Sequence, residues 1–228
     1  MFAIRTDSPV DKLYYSDRQS ARQRRPHDVT RAERSDAARN RAAVLVAADE
    51  LFATVPEPAR LSMDDVAAAA GVGKGTLFRA FGNRAGLLQA LWQRRYAPLR
   101  DAIESGPPPL GPETNPRQRI AAILDAILVV KLDNRHLTLA VEERSGGTSL
   151  YGQPQYQLVH QLLCDLVRAT GGGGDSELLA HLLLAAVRAD LLTHLASRQG
   201  ISRRRLRADL ASAVDLVLEA ADASPPSD

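Results

Sequence analysis

Apolar positions along this chain recur at spacings of three and four almost throughout, and no segment alternates long enough to make a strand. Residues 1–34 lack any period. They are polar, with Arg18, Arg22, Arg24, Arg25, Arg31 and Arg34 towards their end, and read as a disordered basic arm. From Ser35, a residue suited to capping, Ala38, Ala42, Leu45, Ala48 and Phe52 predict a first helix, which Val55-Pro56-Glu57-Pro58 ends. Ser62-Met63-Asp64-Asp65 places a serine cap and acidic groups at the start of a second helix, which stops at Gly71. A short third helix spans about 73–80. Asn83 caps a fourth, about 84–104, with Leu87, Leu88, Leu91, Trp92 and Leu99 inward and Pro98 as a candidate kink.

Beyond the loop Gly106-Pro107-Pro108-Pro109-Leu110-Gly111-Pro112, the set Ile120, Ile123, Leu124, Ile127 and Leu128 marks a strongly amphipathic fifth helix. Helices over about 135–144 and 154–170 follow. Gly171 to Gly174 read as a flexible connection to a long helix over 176–197, and the last helix covers about 202–221. The pattern predicts an all-α chain of about nine helices. It divides into the arm (1–34), a three-helix N-terminal unit (35–83), a larger helical domain (84–223) and a frayed tail (224–228).

Charge adds an asymmetry to this outline. The chain is only +2 overall, but residues 1–95 hold 16 Lys/Arg against 11 Asp/Glu, and residues 96–228 hold 13 against 16. A nucleic-acid partner for the first part alone fits that division. The single cysteine, Cys164, excludes an intrachain disulfide framework, and the start has no signal-peptide pattern. The longest nearly apolar run, residues 178–187, is too short to span a membrane. A cytoplasmic protein without membrane attachment is expected.

Residues 61–81, LSMDDVAAAAGVGKGTLFRAF, concentrate the chemistry. Two short helices meet at a glycine able to take the left-handed backbone a sharp turn needs. Val66, Val72, Leu77 and Phe81 can close a small core, and Ala67 and Ala70 let a neighbour approach. Gly73, Lys74, Gly75 and Thr76 put no bulky apolar group at the start of the second of these helices. Its free N–H groups and partial positive charge suit phosphate, while Lys74 and Thr76 can reach phosphate or base edges. This is the layout of a helix-turn-helix. Gly73-Lys74 does not complete a P-loop, because position 75 is glycine and no strand precedes it.

Val66-Ala67, Ala70-Gly71-Val72, Gly75-Thr76-Leu77-Phe78, Phe81 and Leu87-Leu88 stand as in the DNA-binding domain of TetR-family transcriptional regulators, which residues 35–95 resemble. The resemblance implies that Ser62 caps the second helix and touches phosphate, that Gly73, Lys74, Gly75 and Thr76 face the groove, and that Arg84 contacts phosphate. Phe78 replaces a common tyrosine and Ala80 a common histidine, so two polar contacts are lost. Arg79 or the arm would compensate.

The resemblance also implies a palindromic double-stranded operator, a small-molecule ligand and a homodimer. Independent of it, the 176–197 helix reads as apolar on two faces, with Leu179, Leu182, Leu183 and Ala186 on one and Leu184, Val187, Leu191 and Leu195 on the other. The last helix offers Leu206, Leu210, Val214, Val217 and Leu218. Together these two helices would form a four-helix dimer interface. Candidate ligand residues are Trp92, Tyr96, Leu128, Lys131, His160, Cys164 and Arg188, each with core packing as the alternative. His160 and Cys164 lie one turn apart, but two ligands are too few for a metal site, and no cofactor is expected. Arg188 reads as a mid-helix residue that pairs with Asp190, Asp165 or an anionic ligand, or reaches solvent.

No Ser/His/Asp or Cys-based grouping has readable spacing, so no enzymatic activity is expected. The chain therefore reads as a DNA-binding transcriptional regulator, a repressor released by ligand. The alternative is a helical binding protein or enzyme whose helix-turn-helix is secondary.

Overall fold

A computed structural model describes residues 26–54, 61–143, 150–172 and 174–223. Helices and short helical turns make up the regular structure, with no strand among the described residues. They are α1 (Pro26–Thr54), α2 (Met63–Ala69), α3 (Lys74–Phe81), α4 (Arg84–Ser105), α5 (Pro116–Asp133) and α6 (Arg135–Glu143). After a 3-10 turn at Leu150–Gly152 come α7 (Pro154–Ala169), α8 (Ser176–Ala185), α9 (Ala189–Thr193) and α10 (Arg203–Ala223). The expected long eighth helix is α8 and α9 together, so nine helices are present among the described residues.

The first correction concerns α1. It begins at Pro26, nine residues before the expected Ser35 cap, so the basic arm is not disordered as far as residue 34. Proline at the first helical position loses no needed donor, and arginine is a good helix former, so arginine richness was a poor marker of disorder. The rest of the arm, residues 1–25, and the tail 224–228 lie outside the described residues. The buried stripe of α1 is Val44, Ala47 and Ala48, with Leu45, Leu51 and Phe52 packed partly against the core. Ala38 and Ala42, expected inward, face solvent.

The second correction is the break between α8 and α9. Arg188 turns extended (φ −64°, ψ 140°), and the N–H of Ala189 donates to Glu142 Oε2 at 3.0 Å instead of to a carbonyl one turn back. Glu142 also accepts from Lys131 Nζ at 2.8 Å. A carboxylate on α6 thus caps α9, a favourable place for negative charge. Arg188 sits at this break and pairs with Asp190 through two hydrogen bonds (3.0 and 2.8 Å). By length and hydropathy alone, Ser176–Arg198 would suit a membrane. The stretch is broken at Arg188, carries the Arg188–Asp190 ion pair and packs one side on α7, with Leu178, Leu182 and Leu191 exposed on the other.

The third correction concerns Gly172 and Gly174, expected in a flexible connection. A Cβ at Gly174 would stand 2.9 Å from Leu179 Cδ1 and 3.2 Å from Ala221 Cβ, so this turn is closed against α10 rather than loose. α10 itself lies on α5. Its stripe Leu206, Leu210, Val214, Leu218 and Ala221 is buried. Arg203–Asp133, Arg207–Asp125 and Arg117–Asp222 ion pairs border the seam. The apolar residues expected to serve a dimer are therefore mostly used within the chain, and α10 leaves only Leu216 as a large exposed apolar group.

One continuous core joins both ends of the molecule, from Val44 on α1 to Leu218 on α10. α4 carries the link: Leu87, Leu88 and Leu91 pack under the N-terminal helices, while Tyr96, Leu99 and Ile103 face the larger domain. The helix continues through Pro98. Arg95 adds a polar clamp, donating to Asp49 on α1 and to Asn134 at the α5–α6 corner.

Candidate nucleic-acid interface

Met63, Val66 and Ala67 on α2 and Leu77 and Phe81 on α3 are buried, which fixes which face of α3 remains outside. Gly71 makes the turn between them at φ +64°, a backbone few other residues adopt. α2 starts with a complete capping box. Ser62 Oγ accepts the Asp65 N–H (3.1 Å), and Asp65 Oδ2 accepts from the Ser62 N–H (2.9 Å) and hydroxyl (2.7 Å). Those bonds hold the Asp65 carboxyl below its ordinary range. Ser62 is exposed, as expected, but its hydroxyl already has both a donor and an acceptor partner within α2.

The first turn of α3 projects outward. Gly73 caps it without any side-chain bond, and Gly73, Lys74 and Gly75 are exposed with Thr76 half-buried. A Cβ at Gly73 or Gly75 would meet nothing within 4 Å, and neither residue has a positive φ. The fold therefore does not require glycine at either position. Lys74 Nζ lies 2.5 Å from Asp64 Oδ2 on α2. Phe78, 46% exposed, and Arg79 lie on the outer side of α3. At the other end of the helix, Arg41 donates to the Ala80 carbonyl (2.6 Å) and stacks over the Phe81 ring (4.3 Å), a contact the sequence pattern did not reveal. Arg84, expected on phosphate, donates its Nε–H to the Leu61 carbonyl at 3.0 Å and so joins the starts of α4 and α2.

The expected ligand residues do not share one site. Trp92, Tyr96 and Lys131 line a cavity of about 70 Å³, room for a few waters. Tyr96 also borders a cavity of about 340 Å³ with Arg100, Ile103, Gln155 and Leu162. Lys131 and Arg188 border a third of about 480 Å³ with Tyr151, Tyr156 and His181. Leu128 is fully buried beside Ile127 and lines none of these. Gln155, which sequence reasoning missed, accepts from both Trp92 Nε1 (3.1 Å) and Gln93 Nε2 (2.9 Å). Burial pushes the Tyr96 phenol up to about 12, opposed by its hydrogen bond with Gln155, so it stays a neutral donor at physiological pH. His160 lines none of these three cavities but packs on Tyr156 and His181 at the edge of the third, and with Cys164 it lies against Glu177.

A capped helix, a glycine turn and a second helix with a bare, exposed N-terminal turn define a helix-turn-helix DNA-binding protein. Residues 44–91 match the family model described as bacterial regulatory proteins, tetR family. A curated relative, the HTH-type transcriptional regulator SAR0097 of Staphylococcus aureus, is 26% identical over 178 residues, covering 77% of this chain and 92% of that protein. Among solved structures, a TetR transcriptional regulator from Rhodococcus sp. RHA1 aligns with a TM-score of 0.53 at 24% identity, covering 79% of this chain and 97% of that one. NalD, the secondary repressor of the MexAB-OprM multidrug efflux pump in Pseudomonas aeruginosa, aligns at 0.52 and 18%, covering 80% and 97%. Residues 44–91 thus carry a DNA-binding segment similar to that of the tetR family, and the chain shares the fold of these transcriptional regulators.

Proposed function

We propose that this regulator is a repressor that binds a palindromic operator as a homodimer in the cytoplasm, places the first turn of α3 in the major groove, and leaves the operator when a small molecule binds. The observation that carries the reading is the pair Gly73 and Gly75. They are exposed, and neither backbone conformation nor packing demands glycine there. Close approach of another molecule's backbone gives them a reason. Lys74 and Arg79 supply phosphate contacts, Thr76 reads base edges, and Gly73 and Gly75 keep the approach short. Phe78 contributes an apolar contact. Ser62 and Arg84 flank the groove, bonded respectively to Asp65 and to Leu61, and position α2 and α4 as much as they touch DNA.

The ligand site is the 340 Å³ cavity between α4 and α7, within the range of small-molecule pockets, whereas the 70 Å³ cavity is too small for more than water. Its Tyr96, Ile103 and Leu162 suit an apolar body, and Arg100 an acceptor or anionic group. Tyr96, Arg100 and Ile103 lie on α4, whose other end floors the helix-turn-helix. A ligand that favours a shifted α4 would change the separation of the two α3 helices of a dimer. Near-complete release requires a preference of about 5.5 kcal/mol for the shifted state. A regulatory rather than enzymatic role accords with the relatives, one a transcriptional regulator and another a repressor.

The test is selection of bound duplexes from a random DNA pool with the full-length protein, followed by compound screening for release. A two-fold symmetric consensus that Thr76→Ala relaxes is the expected result. Recovery of no consensus would refute the reading.

A further inference from the structure

The α7–α8 hairpin brings two one-turn pairs face to face. His160 and Cys164 lie four residues apart on α7, and Glu177 and His181 four apart on α8, so each pair shares one face of its helix. The helices run in opposite directions: Tyr156 meets His181 at 2.7 Å, and Arg168 meets Glu177 at 3.1 Å. Ligand-type atoms of His160, Cys164 and Glu177 all lie within 4.8 Å of one another. This supplies the third group that the His160/Cys164 pair lacks in the sequence pattern.

The Glu177 carbonyl selects one neutral tautomer of His160. Its Nε2 lies 3.2 Å from the Glu177 carbonyl oxygen. A carbonyl only accepts, so in the neutral ring Nε2 carries the proton and Nδ1 keeps its lone pair. Nδ1 is 3.7 Å from Cys164 Sγ. A tetrahedral zinc ion with ordinary bonds to sulfur (~2.3 Å) and nitrogen (~2.05 Å) separates those two atoms by about 3.6 Å. A backbone carbonyl holding the far ring nitrogen is also the usual support of a metal-bound histidine. His181 stacks beside His160, ring centres 4.0 Å apart, and braces that ring.

We propose that His160 Nδ1, Cys164 Sγ and a Glu177 carboxylate oxygen form a three-ligand site for a thiophilic divalent ion of the zinc(II) type. One sulfur, one imidazole nitrogen and one carboxylate oxygen are a donor set for zinc rather than for calcium or magnesium. Cys164 is fully buried, His160 half-buried and Glu177 exposed, so an ion enters from the Glu177 side and keeps its fourth position open. Binding replaces the thiol S–H bond with a sulfur–metal bond and releases one proton to solvent. Glu177 already accepts from Arg168, and its remaining lone pairs serve the ion. The loaded site clamps α7 to α8.

The experiment titrates the reduced, chelator-treated full-length protein with cobalt(II) and then zinc(II). One equivalent of cobalt per chain with a near-ultraviolet thiolate-to-cobalt absorption, displaced by zinc, is expected. Cys164→Ser should abolish that absorption. Against a competing metal indicator, His160→Gln and Glu177→Gln should each weaken zinc binding at least tenfold. Circular dichroism melting checks that the variants fold. If the buried Cys164→Ser fails to fold, the other two variants decide the matter. The proposal falls if the charge-transfer band never develops, or if zinc binding is unchanged by His160→Gln and Glu177→Gln, which would place the ion elsewhere.

Discussion

Lys74 Nζ lies 2.5 Å from Asp64 Oδ2, so the lysine at the start of α3 is held by a carboxylate of the helix before it. Both side chains are more than half exposed, 67% and 58%, and such a pair contributes only about 0.2–1 kcal/mol. Phosphate can therefore draw Lys74 away at little cost, while Asp64 remains as a nearby negative charge. Asp64→Asn should tighten operator binding, by about 1.4- to 5-fold per half-site if the pair energy is recovered. Lys74→Ala should weaken binding and flatten its salt dependence by about one unit of slope per half-site. Fluorescence anisotropy across a salt series measures both, and a weaker Asp64→Asn complex would show that Asp64 supports rather than restrains Lys74.

Gly75 lies inside α3, where glycine costs about 0.5–1 kcal/mol relative to alanine. Nothing within 4 Å would obstruct a Cβ there. Gly75→Ala should therefore raise the thermal midpoint of the free protein while lowering operator affinity at least tenfold, through the added methyl at the groove floor. Such opposite signs separate a DNA-contact role from a folding role. A stabilised variant with unaltered affinity would remove Gly75 from the interface.

The helix-turn-helix was legible because its signals are local: the Ser62 cap, the Gly71 turn, and apolar residues that fix which side of α3 is buried. The buried faces of α4 and α5 were legible for the same reason. Apart from the start of α1, the misread elements depend on partners distant in sequence. The α8–α9 break needs Glu142 as a cap, Gly174 is chosen by Ala221, and Glu177 reaches Cys164 only because the hairpin closes. Faces of α8 were also misassigned. Leu183, Leu184 and Val187 are buried together while Leu178 and Leu182 are exposed, since α7 and the core decide which side turns inward.

Arg95 joins α1 to the α5–α6 corner from the middle of α4, through Asp49 and Asn134. Its side chain is 20% exposed, so these bonds are shielded from solvent more than the Lys74 pair. Hydrogen bonds to a charged group contribute about 1.5–3 kcal/mol. Arg95→Met keeps the apolar stem and removes the bonds. Calorimetry should then show the helix-turn-helix melting ahead of the larger domain, where the parent protein melts in a single step. One unshifted transition in the variant would deny Arg95 a coupling role.

Asp65 provides a pH signature for the same unit. Its bonds with Ser62 lower its pKa in the folded state. The stabilisation is thus present above the unfolded carboxylate value and lost as pH falls through the lowered folded value. Denaturant unfolding of the parent should weaken in that acidic window, and Asp65→Asn should weaken it less steeply. Identical acid limbs for the two proteins would mean the capping box contributes nothing to folding.

Leu178 and Leu182 lie one turn apart on α8, 55% and 50% exposed, with Leu191 at 40% farther along the same broken stretch. On α10 only Leu216 remains outward, so the proposed dimer rests on α8 with a smaller share from α10 than the sequence pattern implied. Two-fold symmetry would place each leucine pair against its own copy. A carboxylate at position 182 would then be buried twice, without a partner, at a cost that breaks the association. Sedimentation of Leu182→Glu should give monomer at micromolar concentration where the parent is a dimer, and Leu216→Glu should weaken the dimer without abolishing it. Operator affinity of Leu182→Glu should fall by orders of magnitude, because a lone half-site reader loses the second set of contacts. A parent monomer, or a Leu182→Glu dimer of undiminished strength, would move the interface away from α8.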